Sequence, residues 1–192
     1  MDEACATVIM TELEIAEAIR TATQDVFSTM LSLEMTAGKV ETGDPSSNQR
    51  TGVVALLGFA GDWIGSGALC CEGSFGCRMA AQLLMSEYDA VNEEVLDAIA
   101  EVANMIIGNV KTFLEQRLGA MGLSTPTVIY GRNFETRNVG SREWVSVPFT
   151  CGEDTLAVQI SIAPNNRKER PVAPKTTLVG NACPYCGSFA SS

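Results

Sequence analysis

The sequence predicts an α+β fold in which long helices pack on one face of a largely antiparallel β-sheet. The predicted segments run in the order helix, hairpin, two helices and three strands, and the last strands alternate apolar with polar residues. The chain has 192 residues, of which 46% are hydrophobic, so it has the size of one ordinary domain and enough apolar material for a core.

A helix and a hairpin come first in the chain. Residues Thr11 to Leu33 have helical periodicity. We expect the buried face of this helix to consist of Leu13, Ala16, Ile19, Val26, Met30 and Leu33. After a polar, turn-rich interval, two apolar runs, Val53 to Phe59 and Trp63 to Cys71, flank Gly61 and Asp62. This arrangement predicts a β-hairpin.

Two helices follow the hairpin. Ser74 is the predicted N-cap of the first of them. The apolar side of that helix is expected to carry Cys77, Ala80, Ala81 and Leu84. The second helix is longer, and Asn92 is its predicted N-cap. Glu93 and Glu94 suit the positive end of its dipole, and Gly119 is the predicted terminator.

Three strands and a tail complete the chain. Thr127 to Tyr130 is the first predicted strand, and alternation predicts the other two, through Val145, Val147 and Phe149 and through Leu156, Val158, Ile160 and Ile162. Pro148 is expected at a sheet edge or a bulge, because proline cannot donate a ladder hydrogen bond. The composition then becomes polar and proline-rich. We therefore expect one domain over residues 1–163 and a flexible tail over residues 164–192.

Composition and charge exclude several classes of protein. With 13 basic and 23 acidic residues, the chain has a formal charge of -10, which disfavours nucleic acid or an anionic membrane as its main partner. The absence of histidine excludes Ser/His/Asp and Cys/His catalysis, phosphohistidine relay and His-ligated metals. No segment is long and apolar enough to span a membrane, and the odd number of cysteines does not suggest a secreted disulfide framework. We expect a cytoplasmic protein.

A narrow polar stripe on the long helix is the main candidate for a functional site. Asp97, Glu101 and Asn104 share one face of a helix with about 3.6 residues per turn, because they are one turn apart. Gly108 and Lys111 continue the line, and the surrounding residues are mostly apolar. Taken alone, the stripe is also explained as the solvated face of an amphipathic helix, with Asn104 as a structural hydrogen-bonding residue.

The pair Cys183 and Cys186, near the C-terminus, allows three interpretations. Two thiolates supply half of a tetrahedral zinc site, so that two chains could share one metal ion or Cys5 could contribute a further ligand. The pair also suits a reversible disulfide, although its position does not fit the helix of a thioredoxin-type redox site. An inert tail is the third interpretation, and the sequence leaves all three open.

The stripe resembles the signature of the CheC/CheX/FliY phosphatases. That signature places Asp or Ser, then Glu, then Asn on one helix and Pro further downstream, and it is matched here by Asp97, Glu101, Asn104 and Pro126. The surrounding run ANMIIGNVKTFLE most resembles CheX, and the similarity spans Glu12 to Ile162. The resemblance implies a CheC-like/CheX-like fold.

The family dephosphorylates the aspartyl-phosphate of CheY-like response regulators, so the resemblance implies a phosphatase. Hydrolysis of an acyl phosphate mainly requires a water held in line with the phosphorus, and the resemblance gives this task to the carboxamide of Asn104. Glu101 would pair with the active-site lysine of the phosphorylated partner. The residues expected to contact this partner or to shape the site are Asp97, Gly108, Lys111 and Pro126.

The resemblance also implies cofactors and assembly. The chain is expected to hold no cofactor of its own, because the Mg²⁺ of the reaction belongs to the response regulator. A homodimer is expected, since CheX-like proteins are homodimers. Arg20 stands in the first helix where a second copy of the signature would place Asn, so one site per chain is expected. The alternative function is a non-catalytic adaptor that binds the response regulator on the same fold.

Overall fold

The structure is a computed structural model, which describes residues 10–43, 50–134 and 143–165. The helices and strands in these ranges are, in chain order, α1 (Glu12–Met30), β1 (Thr36–Ala37), β2 (Glu41–Gly43), β3 (Arg50–Gly61), β4 (Trp63–Cys71), α2 (Gly73–Leu84), α3 (Glu93–Leu118), β5 (Met121–Leu123), β6 (Thr127–Phe134), β7 (Trp144–Cys151) and β8 (Asp154–Pro164). Cys5, Cys183 and Cys186 lie outside the described residues. The predicted division into a domain and a tail stays a prediction.

The described strands form one antiparallel sheet in the order β1-β7-β8-β4-β3-β5, with β2 also paired to β7 and β6 also paired to β3. β3 and β4 are the predicted hairpin, in which Leu57 lies opposite Gly67. Pro148 of β7 lies between the residues that pair with β1 and those that pair with β2. The Pro148 carbonyl accepts a hydrogen bond of 2.8 Å from the N–H of Gly38, but no residue of either short strand is paired with Pro148, so the N–H that proline lacks is not needed there.

The helices pack on one face of this sheet. Alternate residues of the strands, such as Val53 and Leu57 of β3, join Ile106 and Ile107 of α3 in a common hydrophobic core. The contact between α3 and β4 is close, because a Cβ on Gly67 would lie 2.8 Å from Ile107 Cγ2. The predicted α+β class, with long helices on a largely antiparallel sheet, is therefore confirmed.

Helix α3 begins and ends where the sequence predicts. The Asn92 side chain accepts a hydrogen bond of 2.9 Å from the N–H of Val95, as an N-cap does. At the other end, Gly119 has a φ of 82° and donates its N–H to the carbonyl of Glu115. Glycine adopts this left-handed conformation without the steric cost that a Cβ would add. These two ends fix the position of the stripe along the helix.

Some local predictions are wrong. Leu13 is 74% exposed, because it lies in the first turn of α1 and away from the face that contains Ile15, Ala16 and Ile19. Met30 and Leu84 are 50% and 46% exposed, because they lie in the last turns of α1 and α2, at the margin of the helix layer. Partial burial of helix ends explains these differences.

The predicted N-cap of α2 is also wrong. Glu72 occupies the N-cap position without a capping hydrogen bond from its side chain, and Ser74 lies within the first turn. Helix α2 begins at Gly73, two residues after the end of β4 at Cys71. The end of the strand, rather than a capping side chain, therefore determines where this helix starts. Cys77 and Ala80 are buried as expected.

Candidate functional site

The stripe predicted from the sequence lies on the outer face of α3. Asp97 and Glu101 are exposed, and Asn104 and Gly108 are half-buried further along the same face. The opposite face of the helix is completely buried and consists of Val95, Ile99, Val102, Ala103, Ile106, Ile107 and Val110. Because close packing holds that face in the core, the stripe is presented in one fixed orientation.

Three polar side chains of the stripe, those of Asp97, Glu101 and Asn104, have no partners in the described part of the chain. Asp97 and Glu101 form no ion pair with a described residue, and the side chain of Asn104 forms no hydrogen bond with one. A half-buried carboxamide still needs hydrogen bonds, so water or a binding molecule must supply them. The stripe can therefore bind a cationic group through Glu101 and orient a water through Asn104.

An open groove of about 540 Å³ adjoins the first half of the stripe. Asp97 and Glu101 line it on the side of α3, and Leu83 and Leu84 line it on the side of α2. The remaining lining residues are Ser86, Tyr88, Glu94 and Ala98. The Tyr88 hydroxyl donates a hydrogen bond of 2.8 Å to Glu94 Oε2, and this bond to a carboxylate raises the pKa of Tyr88.

Gly108 leaves the helix backbone accessible one turn beyond Asn104. A Cβ placed on Gly108 would meet no atom within 4 Å. Glycine in the interior of a helix costs about 1 kcal/mol relative to alanine. No contact inside the described chain offsets this cost. A molecule that approaches the helix backbone closely at this position would require a residue without a side chain, and that would explain the glycine.

Lys111, at the end of the stripe, has a partner inside the chain. Its Nζ lies 2.8 Å from Glu115 Oε1, and the N–H of Met121 donates to the same oxygen at 2.8 Å. The hydrogen bond from Lys111, more than the one from Met121, lowers the pKa of Glu115. Lys111 thus helps to join the end of α3 to β5. This structural role accounts for the lysine without a partner protein, and its predicted contact with one stays a prediction.

Pro126 lies at the entrance to β6 and is half-buried. The hydrogen bonds of this connection run to β3: Ser124 Oγ accepts from the N–H of Gly58 at 2.8 Å, and the N–H of Ser124 donates to the Gly58 carbonyl at 2.9 Å. Pro126 immediately precedes β6, and its predicted role in shaping the site stays a prediction. Its predicted contact with a partner stays a prediction.

Other groups of titratable side chains in the described residues are less suited than the stripe to catalysis or metal binding. Within residues 10–43, 50–134 and 143–165, no group of three or more Cys, Asp and Glu side chains could hold a metal ion. Burial raises the pKa of Cys71 to about 12, so its thiol is a poor nucleophile at neutral pH. On α1, Arg20 pairs with Glu17 at 3.4 Å in the position where a second signature would need Asn.

None of the described helices has the length and apolarity to cross a membrane.

Sequence reasoning missed the wall of the groove that α2 contributes. Periodicity places Leu84 on the buried face of α2 and gives Met85 and Tyr88 no role. The only available signal was the apolar pair Leu84 and Met85 directly before the polar run Ser86 to Asp89. Such a pair at the end of a helix is not distinctive enough to indicate a surface.

Comparison with known proteins identifies a family. The sequence profile described as chemotaxis phosphatase CheX matches residues 53–150, which is just over half of the chain. The matched range contains Asp97, Glu101, Asn104 and Pro126. No curated protein matches the chain significantly.

Solved structures agree with this match. A CheC-like superfamily protein from Shewanella sp. PV-4 has a TM-score of 0.72 and 22% identity, with 80% of this chain and 99% of that one covered. The chemotaxis protein CheX from Desulfovibrio desulfuricans has a TM-score of 0.70 and 24% identity, with 78% and 99% covered. CheX from Borrelia burgdorferi, solved in complex with CheY, BeF3 and Mg²⁺, has a TM-score of 0.66 and 28% identity, with 76% and 96% covered.

Proposed function

Because the chain belongs to the CheX family of chemotaxis phosphatases, we propose that it hydrolyses the aspartyl-phosphate of a CheY-like response regulator. One observation carries the proposal: Glu101 and Asn104 lie one turn apart on the outer face of a fixed helix, and neither side chain has a partner among the described residues. The complex of the similar Borrelia burgdorferi protein with CheY supports a response regulator as the partner.

The proposed reaction needs no nucleophile from this chain. The acyl phosphate of the response regulator is already activated, and its Mg²⁺ and lysine neutralise the charge on the phosphoryl oxygens. Asn104 would hydrogen-bond one water and hold it in line with the phosphorus, which removes most of the entropic cost of bringing it there. The water supplies the new oxygen on phosphorus, and the aspartate carboxylate of the partner leaves.

Glu101 is proposed to determine the position of the partner. Its exposed carboxylate would pair with the active-site lysine of the response regulator, in a contact that is charge-assisted and partly desolvated. This contact would place the phosphoryl group next to Asn104, one turn further along α3. Asp97 is a further partner contact in the proposal. The chain is proposed to supply no cofactor and to act as a cytoplasmic homodimer.

The function is tested by following phosphate release from a CheY-like receiver domain of the source organism, phosphorylated with a small acyl phosphate donor in the presence of Mg²⁺. A phosphatase accelerates release at catalytic concentrations of the chain. A non-catalytic adaptor, the alternative function, binds the phosphorylated receiver and leaves the release rate at its intrinsic value. Binding without acceleration would therefore reject the enzyme and support the adaptor.

The role of Glu101 is tested in the same assay with the near-isosteric variant Glu101→Gln. Loss of the ion pair should lower kcat/KM by about 10-fold to 1,000-fold, the range for a charge paired within an interface. Glu12→Gln is the matched control, because Glu12 is also an exposed helical glutamate but lies on α1. Equal kcat/KM values for the two variants would exclude the proposed ion pair.

A further inference from the structure

The groove between α2 and α3 continues the proposed active site over a second surface. Asp97 and Glu101 belong to both the stripe and the groove, and the groove then extends across to Leu83 and Leu84 at the end of α2. Asn104 lies about 10 Å along the helix axis from Asp97, at a rise of about 1.5 Å per residue. A protein domain whose reacting group reaches Asn104 therefore comes within about 10 Å of the groove.

Met85, which stands between the groove-lining residues Leu84 and Ser86, has two properties that disfavour it in the isolated chain. It is the C-cap of α2 with φ 53° and ψ 43°, the left-handed conformation that glycine adopts at lower cost. Its apolar side chain is also 95% exposed, so it gains nothing from burial. A glycine would serve the helix end better. The side chain is therefore best explained by a molecule that covers it.

The charges of the groove indicate what this molecule presents. Glu94, Asp97 and Glu101 line the wall formed by α3, and no Lys or Arg is among the lining residues. The wall formed by α2 is apolar through Leu83 and Leu84, and the exposed apolar side chain of Met85 follows directly in the sequence. The complementary surface has a basic side chain next to an apolar one.

We propose that this groove, together with the exposed Met85 between Leu84 and Ser86, is a docking surface for the phosphorylated response regulator outside the reaction centre, and that it receives an apolar side chain of the regulator beside a basic one. The inference rests on the proposed function. Met85 lies at the end of α2 and not on the stripe, so in this proposal it contributes binding energy that is equal in the ground state and the transition state. Its loss therefore raises KM and leaves kcat unchanged.

The test compares two substitutions of left-handed residues by glycine in the dephosphorylation assay. Met85→Gly removes the apolar side chain and also the steric cost of the left-handed backbone conformation at the end of α2. Ser32→Gly is the matched control, because Ser32 is also exposed, has the same φ of 53° and does not line the groove. Both variants should unfold at the same temperature as the wild type or at a higher one. Only Met85→Gly should raise KM, by about fivefold or more, with kcat unchanged.

A third variant tests whether any apolar side chain of similar size at position 85 is sufficient for docking. Met85→Leu keeps an apolar side chain and should retain a KM within about twofold of the wild-type value. Equal KM values for Met85→Gly, Ser32→Gly and the wild type would overturn the docking surface and leave the proposed function intact. A wild-type chain that fails to accelerate phosphate release would instead overturn the proposed function, and this inference with it.

Discussion

The two faces of α3 are explained by different causes, and two glycines show the difference. Gly67 of β4 adjoins the buried face, where a Cβ would lie 2.8 Å from Ile107 Cγ2, so packing within the chain requires a glycine. Gly108 lies on the exposed face, where a Cβ would meet no atom within 4 Å. Internal packing explains the first glycine. The second has no such explanation within the described residues, and neither do Glu101 and Asn104, which have no partner there; we propose that all three serve the binding of a partner.

Truncation of Ile107 should produce the largest loss of stability. Ile107 is completely buried, so Ile107→Ala removes apolar contacts and leaves a cavity between α3 and the sheet. We expect the free energy of unfolding to fall by about 2–5 kcal/mol, measured by urea denaturation. A loss below about 1 kcal/mol would contradict the close contact between this face and β4.

Addition of one methyl group at Gly67 should have the next largest effect. The new Cβ of Gly67→Ala would overlap Ile107, and we expect a loss of about 1–3 kcal/mol in the free energy of unfolding. The matched measurement is a double-mutant cycle with Ile107→Ala. Because truncation of Ile107 removes the overlapping atoms, the cost of Gly67→Ala should nearly vanish in that background. Additive costs would show that the strain lies elsewhere.

The same methyl group at Gly108 should have the opposite effect on stability. Gly108→Ala should raise the free energy of unfolding by up to about 1 kcal/mol, because alanine favours the helix and finds open space. In the dephosphorylation assay it should nevertheless raise KM, because the Cβ obstructs the close approach of the partner. Asn109→Ala, at the next exposed position, is the control and should leave KM unchanged. A more stable Gly108→Ala variant with wild-type KM would remove Gly108 from the residues proposed to contact the partner.

Periodicity predicted the elements that position the site. Alternation in β8 and the caps Asn92 and Gly119 are local signals, and the structure has the strand and the helix where those signals place them. The short strands β1, β2 and β5 were not predicted, because two or three residues carry no detectable period. The exposure of Leu13 was missed for another reason: helical periodicity does not show how far the sheet extends beneath a helix.

The candidate site, like the fold, could be predicted from the sequence only in part. The spacing of Asp97, Glu101 and Asn104 along one helix is visible in the sequence, because a helix converts spacing directly into a shared face. The groove was not predictable, because it depends on how the end of α2 packs beside α3. Met85 acquires meaning only through its left-handed backbone and its 95% exposure, and neither property can be read from the letters.

The most direct measurement compares phosphate release by the wild type and by Asn104→Ala at saturating phosphorylated receiver. The account predicts that kcat falls by about 100-fold or more, because the water loses its orienting carboxamide. It also predicts that the free energy of unfolding stays within about 0.5 kcal/mol of the wild-type value, because Asn104 has no partner among the described residues. An unchanged kcat in a correctly folded Asn104→Ala variant would contradict the central claim.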